Sequence, residues 1–270
     1  MGEAGQVLEK LPVPQHSRIQ RVVAVMSGKG GVGKSTVTAF LAVALNREGH
    51  RVGILDADIT GPSIPRLFGI KEAVVPLEGL GMVPPRTKTG VLVMSLNLFL
   101  DAEDDPVIWR GPLIAGTVRQ FWTDVVWGDL DYLVIDLPPG TGDAPLTVLQ
   151  CIPLDGLIVV TSPQDLAAMV VRKAIKMAAR LNVRVIGLVE NMAFARCPAC
   201  GETFRVFGSS HARETSDAMG VRLLGTVPLD PAISELGDRG EIEKYEVDFL
   251  KVLPSLLDGP ARSTKGGDQG

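Results

Sequence analysis

Continuous apolar runs recur along this chain, and the segments between them space their apolar residues as one face of a helix does. The runs lie at residues 22–26, 52–55, 91–95, 132–136, 157–161, 185–189 and 222–227. Runs of this kind are typical of strands buried on both faces of a parallel sheet. After the first run, apolar positions repeat at helical spacing from Val37 to Leu45, and Gly49 suits a helix end. The pattern predicts an α/β fold with a doubly wound, mainly parallel sheet of about seven strands flanked by helices.

Length and composition fit one large domain. The chain has 270 residues, of which 46% are hydrophobic. We predict a flexible segment at 1–20, a single domain at 21–258 and a disordered tail at 259–270. No apolar run reaches the length of about 18 residues that suggests a membrane span, and the N-terminus lacks a signal pattern. We therefore expect a cytoplasmic protein without a membrane partner. The formal net charge of −4 argues against nucleic acid as the main partner.

A glycine-rich motif follows the first predicted strand. Residues 28–35 read G-K-G-G-V-G-K-S and fit the P-loop pattern G-x-x-x-x-G-K-[ST]. Such a loop turns its backbone N–H groups toward phosphate oxygens, and the helix that follows presents its positive end to the nucleotide. Lys34 is predicted to reach the β- and γ-phosphates, and the Ser35 hydroxyl to bind Mg²⁺. The predicted nucleotide-binding residues are Gly28, Lys29, Gly30, Gly31, Val32, Gly33, Lys34, Ser35 and Thr36, the last of which opens the helix.

Carboxylates follow two of the predicted strands. Asp56 and Asp58 come directly after the second run, and Asp136 ends the run at 132–136. An apolar strand that ends in aspartate is the Walker B pattern, so Asp136 is predicted to hold Mg²⁺, with Asp56 near the same ion. Gly140, in the loop that follows Asp136, is predicted to offer its N–H to the γ-phosphate. A helix cap is the alternative role for Asp56 or Asp58.

Lys29 is a second lysine near the start of the P-loop. The sequence K-G-G-V-G-K-S at 29–35 resembles the deviant Walker A motif of the MinD, ParA and nitrogenase iron-protein superfamily. The resemblance implies that Lys29 crosses a dimer interface to the partner's nucleotide. It also implies that Asp58 orients or deprotonates the attacking water, and that Asn191 reads the adenine edge and favours ATP. Pro228 is expected to close over the adenine. The alternatives are a solvated lysine at Lys29 and a structural amide at Asn191.

Two of the three cysteines form a C-x₂-C turn at Cys197 and Cys200. Two thiolates are half of the four ligands that a tetrahedral zinc site or a [4Fe–4S] cluster takes. A two-fold homodimer doubles the pair to four thiolates. The role that the resemblance implies for Lys29 requires a dimer as well. The third cysteine, Cys151, lies before an apolar strand and is predicted to be a small core residue.

These motifs together resemble the Mrp/ApbC family of iron–sulfur cluster carrier ATPases. The likeness adds D-A-D-I-T-G-P-S at 56–63, W-R-G-P at 109–112, D-L-P-P-G-T-G-D at 136–143, E-N-M at 190–192 and C-P-A-C-G at 197–201. It implies that ATP and Mg²⁺ bind the P-loop and that Cys197 and Cys200 bridge a [4Fe–4S] cluster between subunits. It further implies cluster transfer to apo iron–sulfur proteins. The segment at 207–211 departs from the family's glycine-rich pattern, and His211 there is either a further ligand or a helix cap.

Three other interpretations stay open from the sequence. The cysteine pair suits a structural zinc site or a free redox pair as well as a cluster. A MinD- or ParA-like positioning switch with such a zinc site is the alternative function, although the acidic chain lacks the basic surface that a ParA-like protein needs. An electron donor resembling the nitrogenase iron protein is less consistent, because its ligands lie far apart in sequence.

Overall fold

The structure is a computed structural model that describes residues 10–14, 16–58, 61, 63–99, 111–164, 166–197 and 199–246. The predicted tail at 259–270, together with Trp109 and Arg110 of the W-R-G-P motif, lies outside these residues. None of the helices in the described ranges combines the length and apolarity needed to cross a bilayer.

Within the described residues, seven strands form one parallel sheet, as the apolar runs predict. The sheet order is β11-β8-β7-β1-β6-β2-β5, with every neighbouring pair parallel. Its strands are β1 (Ser17–Ser27), β2 (Val52–Asp56), β5 (Leu92–Met94), β6 (Gly128–Asp136), β7 (Gly156–Thr161), β8 (Val185–Glu190) and β11 (Leu223–Thr226). In the part of the chain that the structure describes, two antiparallel hairpins lie outside the sheet, β3 (Val75–Leu77) with β4 (Gly81–Val83), and β9 (Ala195–Arg196) with β10 (Thr203–Phe204).

Helices cover both faces of the sheet. They are α1 (Lys34–Arg47), α2 (Ile64–Phe68), α3 (Gly111–Thr123), α4 (Asp143–Cys151), α5 (Leu166–Arg180), α6 (Ala212–Met219) and α7 (Pro231–Asp238). Short 3₁₀ turns lie at Leu96–Phe99 and Ile242–Lys244.

The core has two layers because successive side chains of a strand point to opposite faces. In β1, Ala24 and Met26 pack in a cluster with residues of α3, α4 and α5, whereas Val23 and Val25 pack in a second cluster with α1 and α2. The central strand β1 is therefore buried on both sides, which places the loop that follows it at the middle of the sheet's carboxyl edge. Ligands bind in parallel α/β sheets at that edge.

Three details differ from the sequence predictions. Residues 17–20 belong to β1, so the flexible segment predicted at 1–20 ends too late. The paired prolines Pro62 and Pro65 predict a segment without regular helix at 59–65, yet α2 begins at Ile64, because a proline is tolerated in a first helical turn. Helix α1 begins at Lys34 rather than at Thr36.

Residues at the start of the described chain are tied to the end of α4. Lys10 Nζ donates to the carbonyl oxygens of Leu149 and Ile152 at 2.7 and 2.9 Å. The Leu11 N–H donates to the Cys151 carbonyl oxygen at 2.8 Å. Cys151 is buried, as predicted for a core residue, and it is the last residue of α4.

Candidate functional site

The P-loop connects the central strand β1 to helix α1. Gly33 directly precedes the helix with φ 76° and ψ 33°, a left-handed conformation that favours glycine. A β-carbon at Gly33 would lie 2.0 Å from Asn191 Nδ2, and one at Gly28 would lie 2.0 Å from Val170 Cγ1. Both positions therefore require glycine for space, and Gly33 also requires it for its backbone angles.

Lys34, the first residue of α1, is buried among carboxylates. Its Nζ lies 2.7 Å from Asp136 Oδ2 and 3.4 Å from Asp58 Oδ2. Burial by itself lowers the pKa of the Lys34 ammonium, but the charges of Asp136 and Asp58 outweigh it, so the pKa lies above its ordinary value of 10.5. The lysine is cationic at neutral pH, and a bound phosphate has to compete with Asp136 for it.

Asp136 accepts hydrogen bonds from two hydroxyls of α1 as well. Ser35 Oγ donates to Oδ2 at 2.5 Å, and Thr38 Oγ1 donates to Oδ1 at 2.7 Å. The sequence prediction included Ser35 and missed Thr38. The signal for Thr38 was its spacing, because it lies one helical turn after Lys34 and shares its face.

Asp56 ends β2 and is fully buried beside Asp136, with which it pairs in the sheet register. Its Oδ1 accepts the Asp58 N–H at 3.2 Å, and its Oδ2 accepts from the Ile64 N–H and Ser95 Oγ at 3.3 and 3.1 Å. Burial and the neighbouring Asp136 raise the pKa of Asp56 to about 8. Asp56 thus holds the segment that leads from β2 into α2.

Lys29 lies at the same edge of the sheet and pairs within its own chain. Its Nζ donates to Gln164 Oε1, in the loop after β7. Sequence reasoning did not identify Gln164, because no local pattern relates two residues that are 135 positions apart.

Asn191 follows β8 and is buried against the P-loop. Its Nδ2 donates to the Val32 carbonyl oxygen at 2.9 Å. This contact matches the structural amide that the sequence left as the alternative to adenine recognition. Pro228 follows β11, where the Val227 N–H donates to the Glu190 carbonyl oxygen at 2.8 Å. Asn191 and Pro228 therefore follow adjacent strands.

Gly140 lies in the loop between β6 and α4 with φ 93°. Its N–H, predicted to face a γ-phosphate, donates to the Ser27 carbonyl oxygen at 2.9 Å. A phosphate contact therefore requires this hydrogen bond to break, as in a loop that rearranges with the nucleotide.

The cysteine pair lies in the turn of the β9–β10 hairpin. The Cys197 N–H donates to the Glu202 carbonyl oxygen at 2.9 Å, and the Gly201 N–H donates to the Cys197 carbonyl oxygen at 2.8 Å. The N–H groups of Cys200 and Ala199 donate to the Cys197 sulfur and hold the pKa of its thiol below the ordinary 9.0. This turn favours the thiolate form that metals bind.

Both cysteines are accessible to a partner, with Cys197 half-buried and Cys200 exposed. Within the described ranges, no group of three or more His, Cys, Asp or Glu side chains is placed to hold a metal. The pair therefore lacks further protein ligands from the described part of its own chain.

Comparisons with known proteins agree with this combination of a P-loop and a cysteine turn. The ParA family model for NUBPL iron-transfer P-loop NTPases matches residues 18–254. The chain belongs to this family.

Relatives and solved structures support the assignment. An iron-sulfur cluster carrier protein of Clostridium perfringens is 46% identical over 237 residues, which span 85% of this chain and 83% of the relative. A nucleotide-binding protein from Archaeoglobus fulgidus, solved with ADP, is 48% identical with a TM-score of 0.78, covering 86% of this chain and 91% of that one.

The cell division ATPase MinD of Pyrococcus furiosus has a TM-score of 0.61 at 24% identity, covering 88% of this chain and 97% of its own. This likeness shows the fold alone. The NUBPL-family assignment and these neighbours confirm the resemblance to cluster carrier ATPases and the doubly wound P-loop fold.

In this family member, the fold brings most of the predicted site residues to one sheet edge. The P-loop, Asp58, Asp136 and Asn191 are linked there by the contacts described above. Cys197 and Cys200 lie further out, on the hairpin that follows Asn191. Sequence reasoning gave Glu190, the residue that ends β8, no role in the site.

Proposed function

We propose that this chain is an ATP-dependent iron–sulfur cluster carrier that binds a bridging [4Fe–4S] cluster between two copies and transfers it to apo-proteins. The observation that carries the proposal is the cysteine hairpin. Cys197 and Cys200 supply two accessible thiols on a turn that favours thiolate, and the described residues complete no metal site around them. A second copy related by two-fold symmetry supplies the other two thiolates that the cluster needs. Relatives that are named as cluster carriers support the same cargo.

ATP binding is proposed at the P-loop with Mg²⁺ on Ser35 and Asp136. The residues fit this ion, because a carboxylate and a hydroxyl that lie 2.5 Å apart are hard oxygen ligands beside the phosphate site. Asp56 pairs with Asp136 in the sheet register and supplies a further carboxyl group near the proposed Mg²⁺. When bound, Mg²⁺ would neutralise phosphate charge.

The chain's own residues have distinct roles in the proposed hydrolysis. Lys34 leaves Asp136 and binds the β- and γ-phosphates, which frees the carboxylate. Asp58, whose Oδ2 lies 3.4 Å from Lys34 Nζ, is proposed to orient the attacking water. Gly140 releases Ser27 to reach the γ-phosphate.

Lys29 is proposed to serve the partner's nucleotide in the homodimer. In the single chain it is held by Gln164, so dimer formation has to break that contact. Breaking the contact between Lys29 and Gln164 costs little free energy, because the contact is exposed to solvent.

Anaerobic reconstitution with iron and sulfide tests the proposed cargo. We expect about four irons per dimer and the visible absorption of a [4Fe–4S] cluster. Cys197→Ala or Cys200→Ala should abolish iron binding. Cys151→Ala is the matched control and should bind iron as the parent does, because Cys151 is buried in the core. Tight zinc without iron would contradict the proposal and favour a structural zinc site.

A further inference from the structure

The two cysteines lie on a loop whose ends are joined by a side chain. The chain leaves the sheet after Glu190, passes through the cysteine hairpin and returns at Ser210, just before α6. Ser210 Oγ donates to Glu190 Oε1 at 2.9 Å across 20 positions of sequence. This hydrogen bond therefore closes the base of the loop at 191–209, which carries Cys197 and Cys200.

Glu190 is an unusual residue for this position because it is almost fully buried. Its exposed fraction is 1%, and Oε2 is a buried oxygen without a hydrogen-bond partner among the described residues. Leaving a buried acceptor unpaired costs about 1–3 kcal/mol, and more when the group is charged. A residue whose only task was to pack the strand end would not need a carboxylate.

The strand end that Glu190 occupies is also attached to the P-loop. Asn191, the next residue, donates from its side chain to the Val32 carbonyl oxygen at 2.9 Å, and its N–H donates to the Thr161 carbonyl oxygen at 2.8 Å. Asn191 therefore joins the P-loop and the end of β7 directly to the residue at the base of the cysteine loop.

A small cavity connects the two regions. Its lining includes Glu190 and His211 from the base of the cysteine loop and Gln164 from the loop after β7. Gln164 is the residue that accepts the hydrogen bond from Lys29. Two series of contacts therefore connect the P-loop with the surroundings of Glu190. One runs through Asn191, and the other runs through Lys29 and Gln164.

Ser210 also fixes the start of α6. Its Oγ accepts the Ala212 N–H at 3.3 Å, so this serine, and not His211, caps the helix with its side chain. His211 Nδ1 instead lies 3.0 Å from Glu214 Oε2. Of the two roles predicted for His211, the structure shows the helix cap in position only, because His211 directly precedes α6 but its side chain accepts no capping hydrogen bond. Glu190 consequently holds a residue that is itself bonded to the first turn of α6.

We propose that Glu190 is a positioning residue that couples the nucleotide state of the P-loop to the geometry of the cysteine pair, through its hydrogen bond to Ser210. Its role in cluster transfer rests on the function proposed above. The coupling itself is a property of the chain without a cluster, and it can be measured without iron.

The experiment measures the alkylation rates of Cys197 and Cys200 by iodoacetamide in the metal-free chain, with peptides identified by mass spectrometry. Rates are compared without nucleotide, with ADP and with a non-hydrolysable ATP analogue. In the parent chain we expect the analogue to change the rates about fivefold or more, the lower end of typical couplings between sites.

Ser210→Ala should remove this nucleotide effect while the affinity for nucleotide stays unchanged. Glu190→Ala should do the same, and Glu190→Gln should restore the effect because the amide oxygen still accepts from Ser210. Ser209→Ala is the matched control, since this neighbouring serine is exposed. It should behave as the parent does.

Three results would overturn the proposal. One is a parent chain whose thiols respond to no nucleotide, and another is a Ser210→Ala chain that keeps the parent's response. The third is a Ser210→Ala chain whose alkylation rates differ from the parent's by the same factor with and without nucleotide, because such a uniform change shows a purely structural role. None of these results bears on whether the chain binds iron, which the reconstitution experiment decides separately.

Discussion

Gly33→Ala perturbs the P-loop in two ways that the structure separates. The backbone at this position has φ 76°, and an added β-carbon would lie 2.0 Å from Asn191 Nδ2. The first effect strains the main chain, since alanine rarely adopts left-handed angles. The second displaces the Asn191 amide from the Val32 carbonyl oxygen.

The expected loss of stability follows from these two contacts. A left-handed conformation costs an alanine about 1–2 kcal/mol. Displacing Asn191 leaves the buried Val32 carbonyl unpaired, which costs about 1–3 kcal/mol more. We therefore expect Gly33→Ala to lower the free energy of unfolding by about 2–5 kcal/mol.

Two neighbouring glycines supply matched controls. Gly31 has φ 79° but nothing within 4 Å of an added β-carbon, so Gly31→Ala should show the backbone cost alone, about 1–2 kcal/mol. Gly30 has neither a left-handed φ nor a close neighbour, so Gly30→Ala should change stability by less than about 0.5 kcal/mol. Urea denaturation measures all three, with an unchanged m-value as the sign that two-state unfolding is preserved.

A double-mutant cycle with Asn191→Ala isolates the clash. Once the Asn191 side chain is removed, the β-carbon at position 33 has no amide to displace. The cost of the double variant should fall below the sum of the single costs by about 1–3 kcal/mol. Additive costs within about 0.5 kcal/mol, or a Gly33→Ala cost equal to that of Gly31→Ala, would refute the reasoning.

Three further predictions concern charged groups. Lys34→Met should destabilise the chain by about 3–5 kcal/mol, because it leaves the buried Asp136 without its cation; urea denaturation of the nucleotide-free chain measures this. Glu190→Gln should be more stable than the parent at neutral pH and equal to it in acid. Burial raises the pKa of Glu190 above the ordinary 4.5, so ionisation costs the parent stability as pH rises from 4.5 through the raised pKa. Asp131→Asn should lower stability at neutral pH by up to about 1 kcal/mol, since the partner Arg51 is half-exposed. Arg51 lowers the pKa of Asp131 below 3.8, so the parent's advantage should disappear as pH falls through that lowered pKa.

Distinct outcomes would contradict each of these predictions. A Lys34→Met loss below about 1 kcal/mol would mean that Asp136 tolerates burial without its cation. A Glu190→Gln variant less stable than the parent at neutral pH would mean that the carboxylate is stabilised by a contact the fold does not show. An Asp131→Asn effect that persists in strong acid would point to packing rather than charge.

The sequence by itself determined the parts of this protein that depend on local pattern. Strands buried on both faces require continuous apolar runs, and those runs gave the seven-stranded sheet. The P-loop, Asp136 at the end of β6 and the cysteine turn were readable because each needs particular residues at fixed short spacing. Where local rules permit two conformations, as for Pro65 at the start of α2, the sequence prediction was wrong.

Tertiary structure alone decided which side chains meet across the sheet edge. Thr38 with Asp136, Lys29 with Gln164 and Asn191 with Val32 join residues 98, 135 and 159 positions apart. The loop base at Glu190 and Ser210 likewise exists only because β8 and α6 pack side by side. Such contacts follow from strand order, since parallel strands that are distant in sequence end at one common edge. Hydrophobic spacing indicates which face of an element is buried, but it does not indicate which other element packs against that face.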